Sequence, residues 1–342
     1  MLGKPGLEDA KIIACLQDEY RLRVSEIAFL PVGADQNTAV YRAMSSAGTP
    51  YFVKLRRGAF NELAVRVPKF LSDRGIRQVM APLITQSGQL WANLETFRLV
   101  LYPFIHGQNG FEVQLTDQQW QDFGSALLHI HTLELPVDIN LALPRETYSA
   151  NWRKKVGQVL KNLPGCAILD ATSQKLVEFL MSRCREILDL VQRTGQLAGE
   201  FQTQAREFVL CHADIHAGNI LIDANAHLYI VDWDDPILAP KERDLMFIGG
   251  GQGFRVLTPQ EEEGLFYRGY GPAEIDPVAL AYYRYERIIQ DIALFSEQIL
   301  SATGSVEDRE QSFRYLVSNF RPDGTLEIAR KADHRKTNSA SR

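Results

Sequence analysis

Short, mostly apolar runs bounded by turn-forming residues mark the first hundred positions of the chain. Three of them are residues 27–31, 39–43 and 51–55, and the turn residues 33–35 and 48–50 lie between them. Short apolar runs bounded by such turn residues predict β-strands. A helix is predicted to start at Asn61, because asparagine is favoured at helix N-termini. A further hairpin and strand are predicted before Gly107.

Beyond the first third of the chain the apolar residues recur at helical spacing instead. The stretch 116–134 opens with Thr116 and Gln119, a pair that can form a capping box. Its apolar side chains lie three or four residues apart, at Trp120, Phe123, Leu127 and Ile130. This spacing predicts one amphipathic helix. Residues 150–206 and 258–300 are predicted to be largely helical as well.

The two patterns divide the chain into a β-rich part and a helical part. We predict an α+β fold with a small β-rich N-terminal lobe over residues 1–101. A hinge over residues 102–107 is predicted to lead into a large helical C-terminal lobe over residues 108–330. The last residues, 331–342, are small and polar, which predicts a frayed tail.

Composition and charge are those of an ordinary globular protein. Of the 342 residues 45% are hydrophobic and 23% are charged, and the net charge is −5. An acidic chain has no general attraction to nucleic acid or anionic lipid. No apolar run approaches the ~20 residues that a membrane span needs. The chain shows no signal-peptide pattern and no C-x-x-C pair among its four cysteines, which predicts reduced thiols in a cytoplasmic protein.

The densest group of chemically active residues lies beside two strand-like runs, residues 219–222 and 228–231. The flanking residues are His212, Asp214, His216, Asn219, Asp232 and Asp234. Carboxylates beside buried strands cost free energy unless they meet a cation, a metal ion or hydrogen-bond donors. The cluster therefore predicts that a positive charge is bound at this place.

One interpretation of the cluster is a metal-dependent hydrolase. His212, Asp214 and His216 alternate along the sequence, so on an extended strand all three would face the same way. Asp232 or Asp234 could complete a ligand set for a metal ion. Such sites usually need further His or Asp ligands, and the other histidines of the chain do not supply them. The hydrolase interpretation is therefore the weaker one.

Phosphoryl transfer accounts for more of the pattern. The reaction needs a carboxylate near the attacking hydroxyl, oxygen ligands for Mg²⁺ and a lysine on the phosphates. The spacing from Asp214 to Asn219 is that of the kinase catalytic loop, and Asp232 follows a strand, as the Mg²⁺-binding aspartate of a kinase does. Asp214 would orient the acceptor hydroxyl and accept its proton. Asn219 and Asp232 would provide hard oxygen ligands for Mg²⁺.

The remaining kinase residues occur upstream in the expected order. Lys54 lies in the strand-like run YFVKL, and Glu62 opens the following helix, where it could pair with Lys54. The glycine-rich loop of protein kinases is missing, and the segment VGADQNTAV stands in its place. The chain also lacks the G-x-x-x-x-G-K-[ST] motif, which excludes a P-loop kinase.

The phrases HADIHAGN, VDWDDP and ERDL together resemble the aminoglycoside phosphotransferase and choline kinase family. The resemblance runs from about Gly33 to Asp323. It implies a protein-kinase-like two-lobed fold with ATP and Mg²⁺ as cofactors. It also implies that a phosphoryl group is transferred to a hydroxyl of a small molecule.

The resemblance implies a role for each matching residue. Asp214 is expected to be the catalytic base, with Asn219 and Asp232 as the Mg²⁺ ligands. Lys54 is expected to contact the α- and β-phosphates, held in place by Glu62. The adenine ring is expected to lie against the hinge residues Tyr102, Pro103, Phe104 and Ile105.

The acceptor implied by the resemblance is a cationic aminocyclitol antibiotic, spectinomycin above others, and hence a role in antibiotic resistance. Its binding needs carboxylates besides the catalytic base, and the candidates are Asp234, Asp235, Glu286 and Asp291. A metabolite alcohol such as choline, homoserine or a sugar fits the same fold. A nucleotide-binding module without catalysis is disfavoured, because every catalytic residue type is present. No dimerisation stripe stands out, so a monomer is slightly favoured.

Overall fold

The computed structural model describes residues 4–31, 37–250, 257–301 and 305–339, without the side chains of residues 335–339. Part of the segment VGADQNTAV therefore lies outside the described residues. Two compact units make up the chain, Met1–Leu143 with Ala217–Pro236, and Pro144–His216 with Ile237–Arg342. The predicted lobe boundary at residues 102–107 does not coincide with this division.

The bounds of the elements follow the chain. The strands are β1 (Val24–Leu30), β2 (Thr38–Ser45), β3 (Pro50–Arg57), β4 (Ala92–Leu94), β5 (Phe97–Pro103), β6 (Gly107–Asn109), β7 (Val209–Cys211), β8 (Ile220–Asp223), β9 (Leu228–Ile230) and β10 (Ile237–Ala239). The helices are α1 (Asp9–Tyr20), α2 (Leu63–Asp73), α3 (Asp117–Thr132), α4 (Val137–Ala142), α5 (Asn151–Asn162), α6 (Ala171–Ser182), α7 (Cys184–Gln202), α8 (Glu242–Leu245), α9 (Pro259–Tyr270), α10 (Pro277–Leu300), α11 (Val306–Ser318) and α12 (Thr325–Ser339). The predicted strands 27–31, 39–43 and 51–55 correspond to β1, β2 and β3, which confirms the strand prediction.

A five-stranded antiparallel sheet in the order β1-β2-β3-β5-β4 forms the first part of the first unit. One face of this sheet packs against α1, and Leu16 of α1 belongs to the same buried cluster as Val53 and Leu55 of β3. Because side chains alternate along a strand, Lys54 and Arg56 lie on the opposite face. The sheet thus separates an apolar core from two cationic side chains.

A second antiparallel sheet of the first unit has the order β6-β8-β9. Its strand β6 comes from a distant part of the chain, and Gly107 of β6 pairs with Asp223 of β8. A Cβ atom at Gly107 would lie 2.3 Å from the carbonyl oxygen of Ile222, nearer than any real contact. Glycine is therefore required here by close backbone approach.

The predicted helix over residues 116–134 is confirmed as α3. Thr116 Oγ1 accepts a hydrogen bond from the backbone N–H of Gln119, and Gln119 Oε1 accepts one from the backbone N–H of Thr116, so the capping box forms. All four side chains of the predicted stripe are buried, namely Trp120, Phe123, Leu127 and Ile130. The helix belongs to the first unit, although the sequence placed it in the helical lobe.

The second unit is built around α10. This helix packs against α5, α7, α11 and α12, and most of its side chains are buried. Its N-terminus is fixed by Asp276, whose carboxylate accepts hydrogen bonds from the backbone N–H groups of Val278 and Ala279. Within the described ranges, no helix combines the length and apolarity that crossing a lipid bilayer requires.

Residues 331–339, which the sequence predicts as part of a frayed tail, continue α12 instead. Ala332 and Asp333 are buried, and Asp333 accepts two hydrogen bonds from Arg193 at 2.7 and 2.8 Å. Contact with α10 and a two-bond ion pair hold the helix to the unit. The local composition of the tail does not predict the contact with α10 or the ion pair with Arg193, because both partners lie far away in the sequence.

Candidate active site

A cavity of about 480 Å³ opens in the first unit. Its apolar wall includes Leu30, Val40, Phe52, Met80, Leu221 and Val231. Its polar lining comes from Lys54, Asn219, Asp232 and Asp234. The four hinge residues predicted to lie against adenine, Tyr102, Pro103, Phe104 and Ile105, also line it. A mostly apolar cavity with a few polar groups is typical of sites for small molecules and cofactors.

Lys54 is the central cation of this cavity. Its Nζ lies 2.8 Å from Asp232 Oδ1 and 2.7 Å from Asp234 Oδ1. Burial of the ammonium disfavours its charge, but the two carboxylates outweigh burial and raise the pKa of Lys54 above its usual value. Lys54 therefore stays charged at neutral pH.

Asp234 connects this lysine to a second cation on β3. Its Oδ2 lies 2.5 Å from Arg56 Nη1, while its backbone oxygen accepts a hydrogen bond of 3.0 Å from Asn61 Nδ2. Lys54 and Arg56 are two residues apart, so their side chains leave the same face of the strand. One carboxylate thus holds two positive charges side by side at the cavity.

The expected ion pair between Lys54 and Glu62 does not form in the described part of the chain. Glu62 is exposed at the N-terminus of α2, whose first N–H, that of Leu63, is bonded by Asn61 Oδ1 at 3.1 Å. Lys54 is engaged by Asp232 and Asp234 instead. The kinase spacing identified the lysine but not the carboxylates that face it.

The two predicted Mg²⁺ ligands are linked through the backbone. The carbonyl oxygen of Asn219 accepts a hydrogen bond of 3.0 Å from the N–H of Val231, the residue before Asp232. Asp232 has a φ of 67°, a left-handed conformation that few residues other than glycine adopt. Its side chain is 49% exposed, while Asn219 is buried. The arrangement provides a half-exposed carboxylate and a carboxamide, both oxygen donors that suit Mg²⁺.

Asp214 lies in the second unit, on the loop that follows β7. Asp244 accepts hydrogen bonds from the backbone N–H groups of His212 at 2.9 Å and Ala213 at 2.6 Å. Ala213 has a φ of 71°. His212 is buried, and its Nδ1 accepts a hydrogen bond from the N–H of Asp214 at 3.3 Å. The carboxylate of Asp244 and the imidazole of His212 thus fix the backbone around Asp214.

Two cationic or potentially cationic groups flank the carboxylate of Asp214. Arg287 Nη1 lies 2.5 Å from Oδ1, and His216 Nε2 lies 3.7 Å from Oδ2. Burial alone would raise the pKa of Asp214, but Arg287 first, and then His216, outweigh it, so the pKa lies below its usual value. Asp214 is therefore ionised at neutral pH, as a proton acceptor must be.

Two of the carboxylates predicted to bind substrate are buried beside arginines. Glu286 is 8% exposed and forms an ion pair with Arg153. Asp291 is 7% exposed; its Oδ1 accepts from Arg287 Nε at 3.1 Å and its Oδ2 from Asn319 Nδ2 at 3.0 Å. Both carboxylates are therefore engaged within the second unit.

The other two predicted substrate carboxylates, Asp234 and Asp235, belong to the first unit. Asp234 is bound to Lys54 and Arg56, as described above. Asp235 is exposed.

Sequence reasoning missed two arginines, Arg56 and Arg287. Each carried a weak signal, since Arg56 stands two residues after Lys54 on the same strand face and Arg287 stands four residues before Asp291 on a helix. A spacing of four residues on a helix is that of an ordinary surface ion pair. Its contact with Asp214 depends on how α10 packs, which a local pattern does not contain.

An N-terminal antiparallel sheet with a charged lysine on its cavity face, together with a helical part that carries the H-x-D loop, defines a kinase-like phosphotransferase. The chain belongs to the phosphotransferase enzyme family, whose sequence model matches residues 28–278. The family assignment replaces the hydrolase interpretation of His212, Asp214 and His216.

Individual proteins of this family resemble the chain to different degrees. Protein StrN of Streptomyces griseus is 24% identical over 250 residues, which cover 70% of this chain and 76% of that protein. A crystal structure of a spectinomycin phosphotransferase with ADP and spectinomycin is 36% identical, with a TM-score of 0.88 and coverage of 96% of this chain and 99% of that one. An amicoumacin kinase structure, 17% identical with a TM-score of 0.61 and coverage of 95% and 97%, shows the shared fold.

Proposed function

We propose that the protein transfers the γ-phosphoryl group of ATP to a hydroxyl of a cationic aminocyclitol, with spectinomycin as the first candidate. Support for this acceptor comes from the 36% identity to a spectinomycin phosphotransferase over almost the whole of both chains. Support for the reaction comes from the family, whose members transfer phosphoryl groups.

The observation that carries the nucleotide half of the proposal is the position of Lys54. It combines a raised pKa with a place in the lining of a mostly apolar cavity of about 480 Å³. Apolar walls suit a flat base, and a permanent positive charge suits the phosphates. Pro103, Phe104 and Ile105 would contact the adenine, and Lys54 the α- and β-phosphates. Glu62 is the N-cap residue of α2, and its contribution to nucleotide binding would be indirect.

Asn219 and Asp232 would hold Mg²⁺. The residues fit this ion, because a half-exposed carboxylate and a carboxamide are oxygen donors. The backbone N–H of Val231, the residue before Asp232, also donates to the carbonyl oxygen of Asn219. When bound, Mg²⁺ would neutralise charge on the phosphate oxygens. Lys54 would add a fixed charge from the strand, and Asp234 would keep that lysine and Arg56 in place.

Asp214 would orient the acceptor hydroxyl and accept its proton. Its carboxylate is ionised at neutral pH and half-exposed, so it can receive a hydrogen bond from a substrate. Among the predicted acceptor contacts, Asp235 is the exposed carboxylate and the first choice for an ammonium group of the substrate. Asp234, Glu286 and Asp291 would act through the cations that they bind.

The test is ATP turnover by the purified protein with Mg²⁺ in a coupled assay. The acceptors compared would be spectinomycin, kanamycin, streptomycin, choline and homoserine. Turnover with spectinomycin and none of the others is the expected result. Turnover with choline or homoserine alone would support phosphoryl transfer but contradict the proposal that the acceptor is an aminocyclitol antibiotic. ADP release with no acceptor dependence would overturn the transferase proposal itself.

A further inference from the structure

Arg287 bridges two carboxylates of the second unit. Its Nη1 donates to Asp214 Oδ1 at 2.5 Å, and its Nε donates to Asp291 Oδ1 at 3.1 Å. The two carboxylates differ in surroundings, since Asp291 is 7% exposed while the side chain of Asp214 is 46% exposed. The guanidinium therefore runs from the interior of the unit to a carboxylate that solvent or substrate can reach.

The inner end of this bridge is fixed by neighbours on other elements. Asn319, after the end of α11, donates to Asp291 Oδ2 at 3.0 Å. The guanidinium carbon of Arg287 lies 5.7 Å from the ring centre of Phe247, a fully buried side chain. A hydrogen-bonded carboxylate and an aromatic face thus restrict the rotamers of Arg287 before it meets Asp214.

Stability alone is a poor explanation for this arrangement. Moving a guanidinium and a carboxylate out of water costs several kcal/mol per ion, so apolar side chains of similar size often serve a helix interface as well or better. Asp291 and Arg287 are four residues apart on α10 and could pair without a third group. The ion pair of Arg287 with Asp291 does not require the second hydrogen bond, which Arg287 donates to Asp214.

We propose that Arg287 is a positioning residue for Asp214, which holds one carboxylate oxygen so that the other faces the acceptor hydroxyl. This inference rests on the proposed function, because it assigns Arg287 a role through the residue that receives the proton. With Oδ1 bound by Arg287, rotation of the carboxylate about its last bond is restricted. The acceptor hydroxyl then meets a carboxylate of fixed orientation, and misplacement by a fraction of an ångström is costly for a transfer step.

Arginine is required for this geometry because two different N–H groups of one planar guanidinium reach the two carboxylates. A lysine carries its charge on a single nitrogen at the end of a flexible chain, so it cannot reproduce the bridge. Arg287→Lys should therefore retain the charge but lose much of the positioning. Arg287→Met loses both.

The experiment compares Arg287→Lys and Arg287→Met with the wild-type protein and with Arg193→Met. Arg193 serves as the matched control, because it pairs with the buried Asp333 in the same unit without touching Asp214. The measurements are kcat and KM for ATP and for the acceptor that turns over best, ADP affinity by calorimetry, and the thermal unfolding midpoint. Each variant is measured again with guanidinium ion at low millimolar concentration.

We expect Arg287→Met to lower kcat by roughly 30- to 100-fold, the scale of misplacing a catalytic group, while KM for ATP and ADP affinity change by less than about twofold. Arg287→Lys should fall between Met and wild type. Added guanidinium ion should restore part of the kcat of Arg287→Met. Arg193→Met should lower the unfolding midpoint and leave kcat unchanged.

A kcat of folded Arg287→Met within threefold of wild type, or a loss that Arg193→Met shares and guanidinium ion does not restore, would overturn the positioning role. If Arg287→Met does not fold, Asn319→Ala loosens Asp291 alone, and its kcat should fall with ADP affinity unchanged; an unchanged kcat overturns the role. A wild-type protein that turns over none of the acceptors removes the proposed function and this inference with it. The two failures are therefore distinguished by the wild-type measurement.

Discussion

Lys54 and Asp234 form an ion pair of 2.7 Å between Nζ and Oδ1, and this pair stands where the kinase pattern predicts a bond from the lysine to Glu62. The carboxylate comes from the segment after β9 rather than from a helix. Because Asp234 lies two residues after Asp232, the same short segment carries both the predicted metal ligand and the residue that fixes the lysine. If Asp232 holds Mg²⁺ as proposed, metal binding and the placement of Lys54 would be coupled through a few residues of backbone.

The role of Asp234 can be separated from that of a substrate contact by changing its charge. In Asp234→Asn the side chain keeps its shape but no longer neutralises Lys54 and Arg56, so both cations lose their fixed positions. We expect KM for ATP to rise roughly tenfold, which corresponds to about 1.4 kcal/mol of binding free energy, while KM for the acceptor stays the same. Steady-state kinetics with each substrate varied in turn measures both constants.

Asp73→Asn provides the control for this variant, because Asp73 forms an exposed pair with Lys69 on α2 in the same unit. Such a pair contributes at most about 1 kcal/mol to stability, and both KM values should remain those of the wild type. A rise in the acceptor KM of Asp234→Asn, with ATP unaffected, would return Asp234 to the substrate site.

The backbone at Asp232 makes the choice of substitution important. Its φ of 67° is tolerated better by asparagine than by alanine, for which a left-handed conformation costs about 1 kcal/mol or more. Asp232→Asn and Asp232→Ala should therefore both lose the Mg²⁺ dependence of ADP binding, but Asp232→Ala should also unfold at a lower temperature. Calorimetric titration of ADP with and without Mg²⁺, combined with thermal unfolding, separates the two effects. Unchanged Mg²⁺ dependence in both variants would place the metal elsewhere.

Asp214→Asn tests the acceptor half of the mechanism. The variant can still accept a hydrogen bond but cannot take a proton, so we expect kcat to fall by about 100-fold or more. ADP affinity should not change, because the nucleotide residues lie in the first unit. Asp189→Asn, which alters an exposed carboxylate of the second unit, should keep the wild-type kcat. Near-normal turnover by Asp214→Asn would exclude Asp214 as the proton acceptor.

A buried carboxyl group away from these residues should make stability depend on pH. Glu262 is 3% exposed, its Oε2 accepts a hydrogen bond of 3.0 Å from the N–H of Gly249, and burial raises its pKa to about 8. Between its usual pKa of about 4.3 and this value the folded state binds more protons than the unfolded state. The stabilisation that Glu262 contributes to the folded state is therefore fully present below the usual glutamate pKa. It is lost as pH rises through the raised pKa of about 8.

We expect the free energy of unfolding to fall between pH 6 and pH 8 by up to about 1.4 kcal/mol per pH unit from this group. Glu262→Gln, which resembles the protonated carboxyl, should flatten the profile. Urea unfolding at several pH values measures the slope for both proteins. Equal slopes for wild type and Glu262→Gln would show that another group causes any pH dependence.

Much of the fold follows from local sequence patterns. Short apolar runs between turn residues located β1, β2 and β3 to within a few residues. The helical stripe located α3, because helical spacing reflects burial of one face. The two units are defined by contacts between distant segments of the chain. Residues 217–236 pack with the N-terminal part through β6–β8 pairing, and Gln119 of α3 donates to the carbonyl oxygen of Ala226. Such contacts join segments about a hundred residues apart, and no local periodicity encodes them.

The same limit applies to the candidate site. The spacing within HADIHAGN and VDWDDP identified residue types that phosphoryl transfer needs, because both segments keep the order and spacing of the kinase motifs. The spacing did not identify which carboxylate pairs with Lys54. Glu62, which the kinase pattern assigns to this lysine, is exposed at the N-cap of α2, whereas Asp234 forms the ion pair. Partner choice is decided by three-dimensional packing.

Gly107 has a practical consequence for protein engineering. Since the Ile222 carbonyl would lie only 2.3 Å from any Cβ at this position, the backbone itself fills the space that a side chain would need. Segments that line the nearby cavity could be exchanged between related sequences to build chimaeric phosphotransferases. The crossover points must then keep Gly107 paired with the same residues of β8. In a saturation library, position 107 should tolerate glycine alone, which makes it an internal standard for what a purely steric lesion does to this fold.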